Sequence, residues 1–122
     1  MKDVIARLIL AYRRQLELYT EVLDLAHEGV AIVRDCRPLA DLQAVNTRKQ
    51  ARLAEIDAIE RAIAADKQTW RDTPRASLQS PELQTLLERL KERIEQILRA
   101  ERETDRWIVQ GAALSTAEEP ST

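Results

Sequence analysis

Three short stretches of this sequence carry residue types at spacings that could support chemistry. Glu21-Val22-Leu23-Asp24 and Glu92-Arg93-Ile94-Glu95 each place two acids three residues apart. On a helix that spacing brings both carboxylates to one face, and two such turns on neighbouring helices can hold a magnesium ion. Asp24-Leu25-Ala26-His27 offers the carboxylate and imidazole of one half of a di-metal site. Each falls short. His27 is the single histidine, so no second helix supplies a matching Glu-x-x-His, and Arg89, Arg93 and Arg99 surround the second acid pair. Salt-bridged helix surface accounts for both pairs more simply. Cys36 has only arginines nearby and no base to activate it, which reads as a small residue at a helix end. One Cys and one His also exclude a disulfide framework or a zinc site within the chain. We therefore expect no catalytic residues, no metal and no cofactor.

The elements that must position these residues follow from composition. The chain has 122 residues, 44% of them hydrophobic and 33% charged, with two Gly, four Pro and no Phe. The apolar content is mostly Ala, Leu, Ile and Val. So little turn chemistry and aromatic bulk argues against sandwiches, barrels and glycine-loop nucleotide folds, and for one all-α domain. A net charge of −2 gives no pull toward a phosphate backbone or an anionic membrane. The N-terminus enters an amphipathic pattern at once, without a signal-like or membrane-spanning stretch, and a cytoplasmic location is expected.

Apolar residues at Ile5, Leu8, Tyr12, Leu16, Tyr19, Leu23, Ala26, Val30 and Val33 step by three or four and predict a first helix over 3–35. Asp35-Cys36-Arg37-Pro38 ends it. Leu42, Val45, Leu53, Ile56, Ile59 and Ile63 continue the spacing over 39–66, with Lys49 where a hydrophobe belongs. Between Ala65 and Ser80 the period fails, Thr73-Pro74 and Ser80-Pro81 punctuate it, and a loop containing Trp70 is expected. Ser80-Pro81-Glu82 combines a cap, a first-turn proline and an acid, and starts a third helix over 81–110. Its heptad seam is Leu83, Leu87, Leu90, Ile94, Ile97, Glu101, Thr104 and Ile108, with Gly111 as a stop. The expected architecture is an elongated antiparallel three-helix bundle or coiled coil over 1–112, followed by a flexible tail over 113–122.

Narrow seams bury less than a broad core, so some apolar positions should be left for a partner. The candidates are Leu86, Leu87, Leu90, Ile94, Ile97, Leu98, Trp107 and Ile108, since a partner helix reads a groove through anchors at i, i+3, i+4 and i+7. Two enzyme resemblances are weaker. All-helical pyrophosphohydrolases use acid pairs like those above, but in the opposite order. The run Leu53-Ala54-Glu55-Ile56-Asp57-Ala58-Ile59-Glu60 looks like the opening helix of all-helical chorismate mutases, but no arginine-rich run follows it.

A third resemblance covers more of the chain. Gln15-Leu16-Glu17-Leu18-Tyr19-Thr20-Glu21-Val22-Leu23-Asp24-Leu25-Ala26, and after the break Leu39 to Ile56 with Leu42, Val45, Lys49 and Leu53, resemble bacterial flagellar export chaperones of the FlgN type. That family has an L-x-x-Y-x-x-L-L first helix followed by a D-L-x-x-L-x-x-x-x-x-K-x-x-L-x-x-I run, and it tends to carry a lysine in the seam, as Lys49 is here. Residues 5–65 carry the likeness, the third helix shares only the pattern, and Arg106-Trp107-Ile108-Val109-Gln110-Gly111 lacks the asparagines often found there. The resemblance implies a non-catalytic cytoplasmic chaperone that holds the amphipathic C-terminal helices of hook-filament junction proteins, prevents premature assembly and delivers them to the export apparatus. FliT-type relatives have a similar design. The competing expectation is a structural homodimeric coiled coil; a small magnesium-dependent helical enzyme ranks below both.

Overall fold

Thirty-three residues without a proline form α1 (Lys2–Arg34) in the computed structural model, which describes residues 1–74 and 80–118, with side chains to residue 111. The end of α1 is a complete left-handed cap. Cys36 has φ 54, its N–H donates to Val33 O at 3.2 Å, and the Arg37 N–H donates to Ile32 O at 2.9 Å. These bonds satisfy carbonyls that the helix end would leave open, in the Schellman arrangement. The glycine usually found there is replaced by cysteine.

Pro38, with ψ 143, turns the chain into α2 (Leu39–Ala62), whose first turn is joined to the cap by an Arg37 to Asp41 ion pair at 3.1 Å. At Ile63 (φ −102, ψ 6) the helix breaks and resumes as α3 (Ala64–Asp72). The break is one residue wide: the Ile63 N–H still donates to Ile59 O at 3.0 Å, and Ile63 O accepts from the Lys67 N–H at 2.9 Å. Burial explains the kink, because Ile63 enters a cluster with Leu8, Tyr12 and Leu83 while Trp70 packs at its edge. Arg7 adds a 2.8 Å ion pair to Asp66. Thr73 closes α3 in an extended conformation (φ −89, ψ 118), as the following Pro74 requires.

The final helix, α4 (Pro81–Glu118), starts where Ser80-Pro81-Glu82 predicts. Ser80 Oγ is buried and accepts the Leu83 N–H at 3.1 Å. Glu82 pairs with Arg13 on α1.

The protein is therefore all-helical among the described residues, with four helices there rather than the three expected. The expected loop over 65–80 is helical through Asp72, and 75–79 lie outside the described residues. Gly111 does not stop α4, whose backbone continues through Glu118; the rest of the expected tail, 119–122, is outside the described residues. Among the described residues no helix is long and apolar enough to cross a membrane.

The helix shared by all the others is α1. Near its start, Leu8 and Tyr12 bury Ile63, Leu83, Leu86 and Leu90. Near its end, Leu25 and Ile32 pack on Val45 of α2, and Ala26 and Val30 pack on Ala100 of α4. Thus α2 runs against α1 and α4 runs along it. The helices α2 and α4 each lie along α1 without running in close contact with one another. Near Gly29 all three converge: a Cβ there would lie 3.6 Å from Leu42 Cδ1 and 3.9 Å from Thr104 Oγ1.

Candidate functional site: a groove between α2 and α4

Because α2 and α4 both rest on α1 yet diverge, part of α1 is left as the floor of an open groove. One hollow of about 330 Å3 is lined by Tyr12, Gln15 and Tyr19 of α1, Glu60 and Lys67, and Leu87, Leu90, Lys91, Ile94 and Glu95 of α4. A second, of about 350 Å3, is lined by Tyr19, Val22, Lys49, Gln50, Leu53, Ile94, Ile97, Leu98 and Glu101. Tyr19 and Ile94 belong to both, so the hollows adjoin. From Leu87 to Glu101 the groove follows α4 for about 20 Å.

Polar contacts mark its two ends. In the first hollow, Gln15 Nε2 donates to Glu60 Oε1 at 2.7 Å and Lys67 Nζ donates to Glu60 Oε2 at 2.6 Å. Burial alone would raise the Glu60 carboxyl, but the Lys67 and Gln15 hydrogen bonds, with the charges of Lys67 and Arg71, hold it below its ordinary value. Burial, reinforced by Glu60, pushes the Tyr12 phenol up to about 12 and raises Tyr19 in the same direction. At the far end Lys49 Nζ donates to Glu101 Oε1 at 2.5 Å. Among the described residues, no buried side-chain nitrogen or oxygen lacks a hydrogen-bond partner. The groove can thus receive apolar side chains between polar groups that are already paired with one another.

The eight partner-binding candidates separate into three groups. Leu86 and Leu90 are 6% and 5% exposed and packed in the core, with Leu90 also reaching the wall of the first hollow. Leu87, Ile94, Ile97 and Leu98 line the groove. Trp107 and Ile108 are exposed on α4 beyond it, next to Val109. The physical reason is a rotation of the seam. The buried stripe of α4 runs through Leu83, Leu86, Leu90, Ala100 and Thr104, so Leu87, Ile94 and Glu101 of the expected heptad lie at the groove edge instead.

Residues beyond that candidate set complete the groove: Tyr12, Tyr19 and Val22 on the floor, and Lys49, Leu53 and Lys67 on the opposite wall. Tyr12 and Tyr19, seven residues apart, were a visible signal, since both lie on the first-helix stripe. The acids of the magnesium reading are placed otherwise: Glu21 pairs with Arg52 at 3.2 Å, and no group of three or more His, Cys, Asp or Glu among the described residues is arranged to hold a metal ion. His27 and Cys36 are exposed. No protein-family model matches the chain, and neither a curated protein nor a solved structure matches it.

Proposed function

We propose that this chain is a non-catalytic binding protein that holds an amphipathic helix of a partner in the groove between α2 and α4. The observation that carries this reading is the continuity of the two hollows through Tyr19 and Ile94, a length of about 20 Å that suits anchors spaced at i, i+3, i+4 and i+7. In it, α2 and α3 act as one broken helix, so that the working architecture is an antiparallel three-helix bundle with one open seam. The resemblance of residues 5–65 to FlgN-type export chaperones supplies the partner class: C-terminal helical segments of hook-filament junction proteins, held in the cytoplasm before export. A segment that folds on docking loses part of its contact energy to ordering, which keeps the complex releasable.

Isothermal titration with those segments, and with the filament cap's segment for comparison, tests the proposal. Saturable binding with a negative heat-capacity change is expected. Ile94→Asp, in the middle of the groove, should weaken it about tenfold or more with helicity retained. Trp107→Ala, beyond the groove, should leave it unchanged. A folded protein that binds none of the segments overturns the flagellar assignment, and wild-type affinity in Ile94→Asp overturns the groove.

A further inference from the structure

Beyond the groove, α4 continues past its support. Gly29 of α1 lies beside Thr104, so Arg34, the end of α1, is level with about residue 109, and α4 extends some nine residues, ~13 Å, farther. On the C-terminal half of α4 leading to this overhang, Leu98 at the groove rim and Ile108 and Val109 beyond it are 48%, 46% and 66% exposed. Thr104 is buried toward α1. On a helix, Leu98, Arg102, Asp105 and Val109 share an arc of about 60° centred roughly 130° from Thr104, and so form a face turned away from α1 that borders the groove at Leu98.

That face is complementary to itself. If a second α4 lies antiparallel, with a two-fold axis passing between Glu103 and Thr104, Leu98 meets Val109 and Arg102 meets Asp105, and the symmetry repeats both contacts. The spacing Leu98, Arg102, Asp105, Val109 alternates four, three, four, as an antiparallel helix seam requires. Neither Arg102 nor Asp105 makes an ion pair among the described residues, so both charges are free to cross. A register shifted by one residue would instead set Glu101 against Asp105.

From this complementarity we infer that the outer face of α4 is an interface with a second copy of this chain, an antiparallel pair held by two Leu98 to Val109 layers outside two Arg102 to Asp105 layers. The pairing contacts are made by α4 alone, but Leu98 also lines the groove, so a groove occupant that covers Leu98 competes with the pair. With few apolar layers the pair is weak and concentration-dependent, and it orients two chains head to tail along α4.

Sedimentation equilibrium on the full chain from micromolar to millimolar concentration tests it. The mass should rise from 14.0 kDa toward twice that value. Arg102→Asp sets like charges against each other and should weaken association about tenfold or more. The reciprocal double variant Arg102→Asp with Asp105→Arg should restore it. All the substituted sites are exposed, and circular dichroism checks that helicity is kept. A monomer throughout the range overturns the inference and leaves this face to another protein. A dimer indifferent to Arg102→Asp, or one the double variant does not restore, overturns it by placing the contact elsewhere.

Discussion

Lys49 on α2 and Glu101 on α4, 52 residues apart, meet at 2.5 Å, and theirs is the one hydrogen-bonded link between those two helices among the described residues. The Lys49 side chain is 10% exposed and that of Glu101 38%, so the lysine is the partner that depends on the bond. It ties the far end of the groove, next to the level of Gly29 where α1, α2 and α4 converge.

Glu101→Ala should therefore cost about 2 to 3 kcal/mol, because it leaves a nearly buried ammonium without its carboxylate. Adding Lys49→Met should recover most of that loss, since the orphaned charge disappears and the thioether can pack against Leu53 and Ile97. Urea unfolding of both single variants and the double variant measures the coupling. Additive losses would mean that the pair contributes nothing to holding the helices.

Cys36 occupies a left-handed position at φ 54 that is strained for any residue with a Cβ. Cys36→Gly should stabilise the fold by up to about 1 kcal/mol, whereas the β-branched Cys36→Val should destabilise it. Thermal melts of the two variants should move in opposite directions.

Gly29 is helical, and an added methyl group would meet Leu42 and Thr104 only at ordinary contact distance. Gly29→Ala should raise stability by about 1 kcal/mol through helix propensity alone. Gly29→Leu should lower it by overpacking where three helices converge. Denaturant midpoints check both.

The pH dependence follows from the groove's titrating groups. Glu60 titrates below its ordinary 4.5 in the folded protein, so its contribution is complete above that pH and is lost as pH falls through the lower folded value. Asp66, held down by its hydrogen bond from Arg7, acts in the same direction. Tyr12 has the opposite dependence. Its folded value of about 12 exceeds the ordinary 10.0, so stability should decline as pH rises from 10 toward 12. Tyrosinate absorbance at high pH should show a component that ionises only near that upper limit, and Tyr12→Phe should remove it.

Local chemistry made several elements legible without tertiary information. The Ser80 cap with Pro81 and Glu82 starts α4, and Asp35-Cys36-Arg37-Pro38 ends α1, because capping and proline effects act within a few residues. The long helical stretches were legible for the same reason: apolar residues spaced by three and four require one helix face. Tertiary packing alone decided the rest. Ala64 to Trp70 has no periodic apolar run, and α3 is held in place by Ile63 and Trp70 on Leu8 and Tyr12 and by Asp66 on Arg7. On α4 two neighbouring stripes have the same spacing, one through Leu86 and one through Leu87 and Ile94. A helix pattern fixes spacing but not rotation, and only contact with α1 determined which stripe entered the core and which was left to line the groove.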